Sequence, residues 1–306
     1  MMPTPGVSPR HRKRATLLSL AIAAGCLVLF AYTLRHAGLE QIRDGVRRLG
    51  WGGFGAILAL SGLRLVVRSR AWMRCVEGEA RLRVGPALDA TLMGEALGNL
   101  TPLGNVISEP SKAAFVRGRV PFHAALSAIV VENIFYSASV ALMIGLGASA
   151  FLFAFSMPEY LRAVSYGTLA GVVVVVGGAY VVLRANVRPV SATGAWLDAR
   201  GLAPAWMASR IPRMRRFEDG ITTFTARNGR SLAPLALYEA AFHLAGVAEV
   251  YVTLALIVPG GVSLLTALVV ESTGRVINVL FKFVPLRLGV DEAGNALLAL
   301  PLGLLP

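Results

Sequence analysis

The sequence has few charged residues and almost no cysteine. Only 15% of its 306 residues are Asp, Glu, Lys or Arg, whereas soluble domains typically carry about 25%. With so few charges to cover a water-facing surface, an ordinary soluble enzyme is disfavoured. Intrinsic disorder is excluded as well, because a chain with 55% hydrophobic residues and a mean hydropathy of +0.63 has ample surface to bury. The two cysteines, Cys26 and Cys75, are too few for a disulfide framework.

The sequence also lacks the residue patterns of familiar catalytic centres. Its four histidines are scattered, and no group of His, Cys and Asp has the spacing of a metal site. No nucleophile stands in a recognisable pattern with a base, and no glycine-rich loop of the nucleotide-binding type occurs. We therefore expect no catalytic residue, no metal and no cofactor. Direct use of ATP is not predicted, and the chain is not expected to be an enzyme.

The sequence does contain basic residues placed between long apolar runs. The net charge is +13, which in a soluble protein would suggest a nucleic-acid partner. Here the basic segments alternate with stretches long enough to cross a bilayer, so they indicate loops at a negatively charged membrane surface. The composition predicts an integral membrane protein with no nucleic-acid partner.

The first apolar run, residues 15–34, follows a basic cluster at residues 10–14. Because the run reaches about 20 residues, it is predicted to be an uncleaved membrane helix rather than a signal peptide, with its basic end in the cytoplasm. Residues 35–50 place apolar and charged side chains on opposite helical faces, which predicts a short helix lying in the membrane interface. Further spans are predicted at residues 51–67, 122–154, 162–183, 232–257 and 262–283.

The segment 184–230 carries nine arginines against three acidic residues. Its apolar residues recur at helical spacing, which predicts an amphipathic cytoplasmic helix packed on the bilayer or on the bundle. With the N-terminus inside, most basic residues of the loops lie on the cytoplasmic side, provided that residues 84–110 enter the membrane and return on the same side. This distribution predicts a multi-pass protein with a cytoplasmic N-terminus, and the expected location is the bacterial cytoplasmic (inner) membrane.

Residues 94–112 combine apolar flanks with three glycines, two prolines and two glutamates. Such a segment makes a poor continuous membrane helix, yet it is too patterned for a solvated loop. Broken backbone at membrane depth is tolerated only where protein or a water-filled cavity satisfies its polar groups. We therefore predict a re-entrant, broken-helix element that lines a cavity, with Pro102 as its hinge.

A similar segment occurs at residues 278–295, with Pro285 as its predicted hinge. Its residues 285–292 match residues 102–109 at a Pro, a Leu and a Glu. Paired, interrupted hydrophobic segments in the two halves of a chain are typical of transporters built from repeats, with the site at the repeat interface. The predicted fold is therefore an all-α, polytopic membrane helix bundle, a single domain over residues 1–306, with two broken elements and an inverted repeat.

Four segments together carry a resemblance to a known family: residues 68–72, 99–109, 131–132 and 284–292. On these motifs the chain resembles the flippase-like family named after the membrane region of lysylphosphatidylglycerol synthase, which also includes proteins associated with hopanoid and glycolipid pathways. The resemblance covers nearly the whole chain and implies movement of lipids between leaflets. The soluble aminoacyl-transferring domain of the bifunctional relatives is absent here, so amino-acid transfer to lipid is not implied. Relatives usually continue through another helix beyond the position of Pro306, which leaves open a short product or a truncated sequence.

Ionisable groups within membrane segments are functional candidates, because their burial is costly unless they are paired or hydrated. In the second broken element, Arg287 is placed beside Glu292 and is suited to receive a lipid phosphate through bidentate hydrogen bonds. In the first broken element, Lys112, just after Glu109, is the counterpart of Arg287. Two carboxylates near one Arg or Lys remain mutually satisfied, which adds Glu109 and Glu292 to the predicted site. The predicted substrate-binding residues are Asn105, Glu109, Lys112, Glu132, Arg287 and Glu292.

Several ionisable groups within the predicted membrane segments also have purely structural explanations. Glu132 can serve instead in an interhelical hydrogen-bond clamp. Glu271 and Arg275 are four residues apart on one helix face, which favours a structural ion pair. Glu239 and His243 have the same spacing, and a packed histidine is favoured there over a proton relay.

The leading functional prediction is a lipid transporter that moves a phospholipid, a glycolipid or a polyprenyl- or hopanoid-type lipid between leaflets. The alternative is a non-transporting membrane subunit or an enzyme of lipid, hopanoid or glycolipid biosynthesis, and a third reading is a membrane scaffold. The predicted partners are a membrane lipid with an anionic or polar headgroup and a separately encoded lipid-pathway enzyme. The residues do not predict which lipid is moved, in which direction, or by what driving force.

Overall fold

The structure is a computed structural model of the chain. Outside the described residues lie most of the predicted first span, the hinges Pro102 and Pro285, Arg287 and most of the segment 203–228. The structure describes residues 39–76, 82–101, 104–184, 189–202, 229–281 and 289–304, together with positions 28, 31, 32, 35, 204, 211, 212, 214, 215, 218 and 284.

The described part of the chain is helical throughout and contains no strand, so the predicted all-α fold class is confirmed. Its nine helices are α1 (Leu39–Cys75), α2 (Val84–Leu100), α3 (Gly104–Phe115), α4 (Phe122–Ala154), α5 (Glu159–Arg184), α6 (Pro189–Ala199), α7 (Gly229–Ile257), α8 (Leu264–Leu280) and α9 (Val290–Ala299).

Four of these helices are long and apolar enough to cross a membrane. A helix satisfies its own backbone hydrogen bonds, which is required where no water can do so. Their outer faces remain apolar and exposed; Val174 on α5, for example, is 73% exposed. The four candidate spans within the described residues are Ile42–Cys75, Phe122–Ala154, Glu159–Gly178 and Ala233–Ile257.

Helix α1 is interrupted at Gly50, whose φ of +57° is a left-handed conformation that glycine adopts readily. The interruption separates a short N-terminal segment from a long one, at the boundary between the predicted interfacial helix and the predicted span. The sequence-based span ended at residue 67, but the helix continues to Cys75. The helix continues because Arg68 lies inside the bundle rather than in water. There its guanidinium lies close to the Glu132 carboxylate and donates a hydrogen bond to Asn133.

Helices α2 and α3 form a tight hairpin within the segment 94–112. Helix α2 ends at Leu100, Thr101 is extended, and α3 begins at Gly104. The two helices approach so closely that a Cβ atom on Gly104 would overlap the backbone of Gly98. A Cβ atom on Gly98 would in turn lie 3.3 Å from that of Ser108. Glycine at these two positions is therefore what allows the close return of the chain.

The helices pack around one interior. Helix α7 lies along α1, α4 packs against both α5 and α8, and the α2–α3 hairpin packs against α1 and α4. Small buried residues such as Ala87, Ala113 and Ala125 allow this close approach of backbones. Trp72 anchors the end of α1 through a hydrogen bond from its indole N–H to the carbonyl of Ala125 (3.4 Å). The remaining interior space lies between α1, the hairpin, α4, α7 and α8.

Candidate functional site

A cavity of about 390 Å³, here named the arginine cavity, occupies this interior space. Its volume is in the range of small-molecule sites. Helix α1 contributes Ser61, Arg64, Leu65 and Arg68, which share one helix face because they are spaced three and four residues apart. Its other lining residues come from the hairpin, α4, α7, α8 and position 284 beyond α8: Glu95, Gly98, Asn99, Gly104, Ser108, Glu109, Tyr136, Phe242, Arg275, Asn278 and Val284.

Three guanidinium groups converge on two aromatic rings in the cavity. The Cζ atom of Arg68 lies 3.9 Å from the centroid of the Tyr136 ring. The Cζ atoms of Arg64 and Arg275 lie 4.8 Å and 5.1 Å from the centroid of the Phe242 ring. An aromatic face attracts a cation and replaces part of its lost hydration. The rings therefore hold three positive charges near one another in a largely apolar bundle.

Each of these arginines also has an acidic partner. Arg64 donates from Nη1 to Glu249 Oε2 at 2.8 Å, and Ser61 donates to the other oxygen of that carboxylate at 2.8 Å. Arg275 donates from Nε to Glu271 at 3.0 Å, so the ion pair expected from the four-residue spacing forms. Such pairing offsets the desolvation of a buried charge.

The third arginine, Arg68, connects α1 to α4. It donates from Nη2 to Asn133 Oδ1 at 3.2 Å, and its Nε lies 3.7 Å from Glu132 Oε1. Glu132 is 3% exposed, so a nearby cation is needed to offset the cost of burying its carboxylate. A guanidinium has five N–H donors in one plane, and these contacts use only some of them.

The hairpin supplies negative charge to the same cavity. Lys112 Nζ lies 3.4 Å from Glu95 on α2 and 3.4 Å from Glu109 on α3, so one buried ammonium ties the two helices together. The stem of Lys112 fills the space left by Gly94, where a Cβ atom would come within 2.5 Å of Lys112 Cε. Arg68 Nε is also 3.9 Å from Glu95. The cavity thus presents cations from α1 and α8 and carboxylates from the hairpin.

The structure brings three of the predicted site residues into this network. Glu109 lines the cavity, Lys112 is buried behind it, and Glu132 is linked to both through Arg68 and Glu95. The backbone of Asn105 belongs to α3, but its side chain lies outside the described residues, as does Arg287.

Glu292, in contrast, is engaged at the start of α9. Its Oε2 accepts a hydrogen bond from the backbone N–H of Gly289 at 2.7 Å. Gly289 has a φ of +82°, and Glu292 is the third residue of the helix, the position where a glutamate satisfies an otherwise unpaired N–H. Among the described residues that line the arginine cavity, Glu292 does not occur.

Sequence reasoning did not assign Arg64, Arg68, Glu95 or Tyr136 to the site. The predicted span 51–67 stopped just before Arg68, because an arginine after an apolar run commonly marks the end of a span. The available signal was the polar spacing of residues 61–68 within a segment otherwise apolar, since these residues face one side of a helix. Their partners lie far along the chain, and no local pattern identifies them.

An apolar groove of about 790 Å³, here named the valine groove, adjoins the arginine cavity. It lies between α4, α5 and α8 and is lined by aliphatic side chains such as Val140, Ile144 and Val172. The two spaces share three lining residues, which are Tyr136, Arg275 and Asn278. A polar chamber and an apolar groove therefore meet at one short border.

Comparison with known families identifies the chain. The family described as the lysylphosphatidylglycerol synthase TM region matches residues 16–306, and the chain belongs to this family. Comparisons with curated proteins and with solved structures found no match. The family and the apolar helices establish a membrane protein, and the family connects it with lipid metabolism.

Proposed function

We propose that this member of the lysylphosphatidylglycerol synthase TM region family is a transporter that moves a lipid between the two leaflets of its membrane. The headgroup occupies the arginine cavity, and the hydrocarbon chains lie in the valine groove. The observation that carries the proposal is the border of Tyr136, Arg275 and Asn278 that the two spaces share. A lipid that lies across this border has its polar headgroup among polar side chains and its hydrocarbon chains among aliphatic side chains.

The physical obstacle to lipid movement is the headgroup. Transfer of a polar or charged group into hydrocarbon costs several kcal/mol or more unless hydrogen bonds replace those made with water. The arginine cavity offers guanidinium, carboxylate, hydroxyl and amide groups in its lining, from residues that include Arg64, Glu109 and Asn278. These groups act as a substitute for water along part of the path.

The charges of the cavity favour a headgroup that contains phosphate. Guanidinium groups bind phosphate through paired, charge-assisted hydrogen bonds, and three of them line the cavity. The hairpin carboxylates Glu95 and Glu109 suit an amine or hydroxyl groups elsewhere on the same headgroup. Because each arginine already has an acidic partner, a phosphate must compete for its donors, which keeps a bound lipid exchangeable.

The test is reconstitution of the purified protein in phosphatidylcholine vesicles that contain trace chain-labelled lipids. The panel comprises a phosphatidylglycerol, a phosphatidylethanolamine and an uncharged glycolipid, and an impermeant reductant reports the leaflet of each label. We expect the protein to move at least one phosphate-bearing lipid faster than the glycolipid. Failure to move any lipid of the panel would overturn the proposal and favour the non-transporting subunit. Mass spectrometry of the recovered lipids tests the enzyme alternative, since a transporter returns them unchanged.

A matched pair of variants links the movement to the cavity. In Arg68→Gln the contacts with Glu132 and Tyr136 lose their charge, so lipid movement is expected to fall to the protein-free background. Arg200 is the control, because it is an exposed cation stacked on the Trp196 ring at 3.9 Å and lies outside the cavity lining. Arg200→Gln is expected to keep the wild-type rate. Equal rates in the two variants, at equal thermal stability, would contradict the assignment.

A further inference from the structure

A third space, here named the histidine groove, lies between α4, α7 and α8 on another side of the bundle. Its volume is about 640 Å³. Exposed leucines form part of its lining, among them Leu142 at 55%, Leu146 at 63% and Leu244 at 69% exposure. Because the outer faces of membrane helices meet hydrocarbon, the groove opens toward the lipid bilayer. Any occupant therefore arrives from the membrane.

Three polar side chains form a cluster in this otherwise apolar groove. Ser139 on α4 lies between Glu239 and His243 on α7. The Ser139 Oγ atom is 3.1 Å from Glu239 Oε2 and 3.0 Å from His243 Nε2. Glu239 and His243 are only 5% and 7% exposed. The cluster has no part in the arginine cavity, whose lining does not include any of the three among the described residues.

The cluster is short of hydrogen-bond partners. The Ser139 hydroxyl has a single hydrogen, but it lies within bonding distance of the carbonyl of Tyr136 (2.8 Å) as well as of Glu239 and His243. The Nδ1 atom of His243 is buried and has no hydrogen-bond partner among the described residues. Whichever ring nitrogen carries a proton, one position of the imidazole stays unsatisfied, and leaving it so is unfavourable in an apolar site.

We propose that the histidine groove binds a membrane lipid whose only polar group is a hydroxyl. The Ser139 hydrogen is donated to the Tyr136 carbonyl or to Glu239, so His243 donates to Ser139 from Nε2 and its Nδ1 is an acceptor that needs a donor. A hydroxyl supplies that donor. The aliphatic lining matches the hydrocarbon body of such a lipid. A phosphate-bearing headgroup does not fit, because no cation lines the groove within the described part of the chain to offset its charge.

The groove is separate from the transport path but close to it. The His243 ring lies parallel to that of Tyr136, with 6.3 Å between the centroids, and Tyr136 lines the arginine cavity. Phe242 packs edge-on against the same imidazole at 5.4 Å. Among the described residues, the groove and the arginine cavity share no lining residue, so the proposed site is distinct from the proposed headgroup position.

The test uses a photoreactive long-chain alcohol that carries a diazirine, together with its methyl ether and its phosphate monoester. Each probe is cross-linked to the full-length protein in phosphatidylcholine nanodiscs, and the labelled peptides are mapped by mass spectrometry. We expect the alcohol to label α4 and α7 at the histidine groove, with excess unlabelled alcohol as competitor. The ether and the phosphate ester are expected to label this groove at least about tenfold less, because neither supplies the neutral hydroxyl donor. Equal labelling by alcohol and ether would overturn the proposal.

Two variants keep the test decisive if one of them fails to fold. His243→Phe retains a ring of similar shape and removes both nitrogens, so labelling by the alcohol is expected to fall about tenfold. Ala240→Trp fills the groove without altering the polar cluster and is expected to abolish the labelling. Leu237→Trp is its control, since Leu237 is 70% exposed on the same helix and does not line the groove. Wild-type labelling in Ala240→Trp would refute the site.

Discussion

The guanidinium of Arg68 rests on the face of Tyr136, 3.9 Å from the ring centroid. The phenol oxygen of Tyr136 accepts a hydrogen bond from Arg275 Nη1 at 3.3 Å. The same side chain lines both the arginine cavity and the valine groove. Tyr136 is therefore the residue around which the polar and apolar spaces are arranged, and two arginines depend on it for their position.

This arrangement predicts a graded response at Tyr136. Tyr136→Phe keeps the aromatic face for Arg68 and loses only the bond to Arg275, so transport is expected to fall slightly. Tyr136→Ala removes the face as well, and a desolvated cation–π contact is worth about 2 kcal/mol, so transport is expected to fall more than tenfold. Leaflet-accessibility rates of the two variants measure the difference. A larger defect in Tyr136→Phe than in Tyr136→Ala would contradict this role of the ring.

The close approach of α2 and α3 predicts that the hairpin does not tolerate a single added methyl group. In Gly104→Ala the new Cβ meets the backbone of Gly98, which cannot rotate away as a side chain can. We expect a loss of about 1–3 kcal/mol in stability, seen as a lower thermal unfolding midpoint in detergent. Gly85→Ala on α2 is the control, because nothing lies within 4 Å of its Cβ. Equal unfolding midpoints of the two variants would contradict the close packing of α3 against α2.

The positions of Glu109 and Glu292 predict different defects for two similar changes. Glu109→Gln removes a charge that pairs with Lys112 at the cavity, so it is expected to slow lipid movement. Glu292→Gln keeps an oxygen that can accept the bond from Gly289 N, so movement is expected to stay near wild type. Glu292→Ala loses that cap and is expected to lower stability by about 1 kcal/mol. Transport rates and unfolding midpoints of the three variants, compared side by side, separate a binding role from a capping role.

Arg287 remains a sequence-based prediction, because it lies outside the described residues. An arginine in the second broken element is expected to contact the lipid phosphate through its planar fork. Arg287→Ala should therefore abolish lipid movement while the protein stays folded and inserted, as judged by its elution profile and unfolding midpoint. A well-folded variant that moves lipid at the wild-type rate would exclude Arg287 from the path.

The orientation in the membrane is also a prediction from charge. Nine arginines between residues 184 and 230 are expected to keep this segment in the cytoplasm. A cysteine introduced at Gly220, with Cys26 and Cys75 replaced by alanine, should react with an impermeant thiol reagent only after the cells are permeabilised. Labelling in intact cells would show that the topology is inverted.

Local features of the sequence determined the helices and one of the ion pairs. The apolar run predicted at residues 122–154 is the helix Phe122–Ala154, because continuous hydrophobicity and the need to satisfy backbone groups both act within a segment. The pair Glu271–Arg275 follows in the same way from the helical repeat, which places residues four apart on one face. Periodicity and composition are sufficient wherever the interacting groups are neighbours along the chain.

Only the tertiary structure decided which charges meet. Arg64 pairs with Glu249, 185 residues away, and Arg68 with Asn133, 65 residues away. Which face of α1 turns toward α4 and α7 depends on the packing of all the helices at once, so Arg68 was assigned from the sequence to the end of a span, and no partner was predicted for Arg64. Glu292 illustrates the converse: it was predicted from the sequence to bind the lipid, and in the structure it accepts a local hydrogen bond from the backbone N–H of Gly289, three residues away.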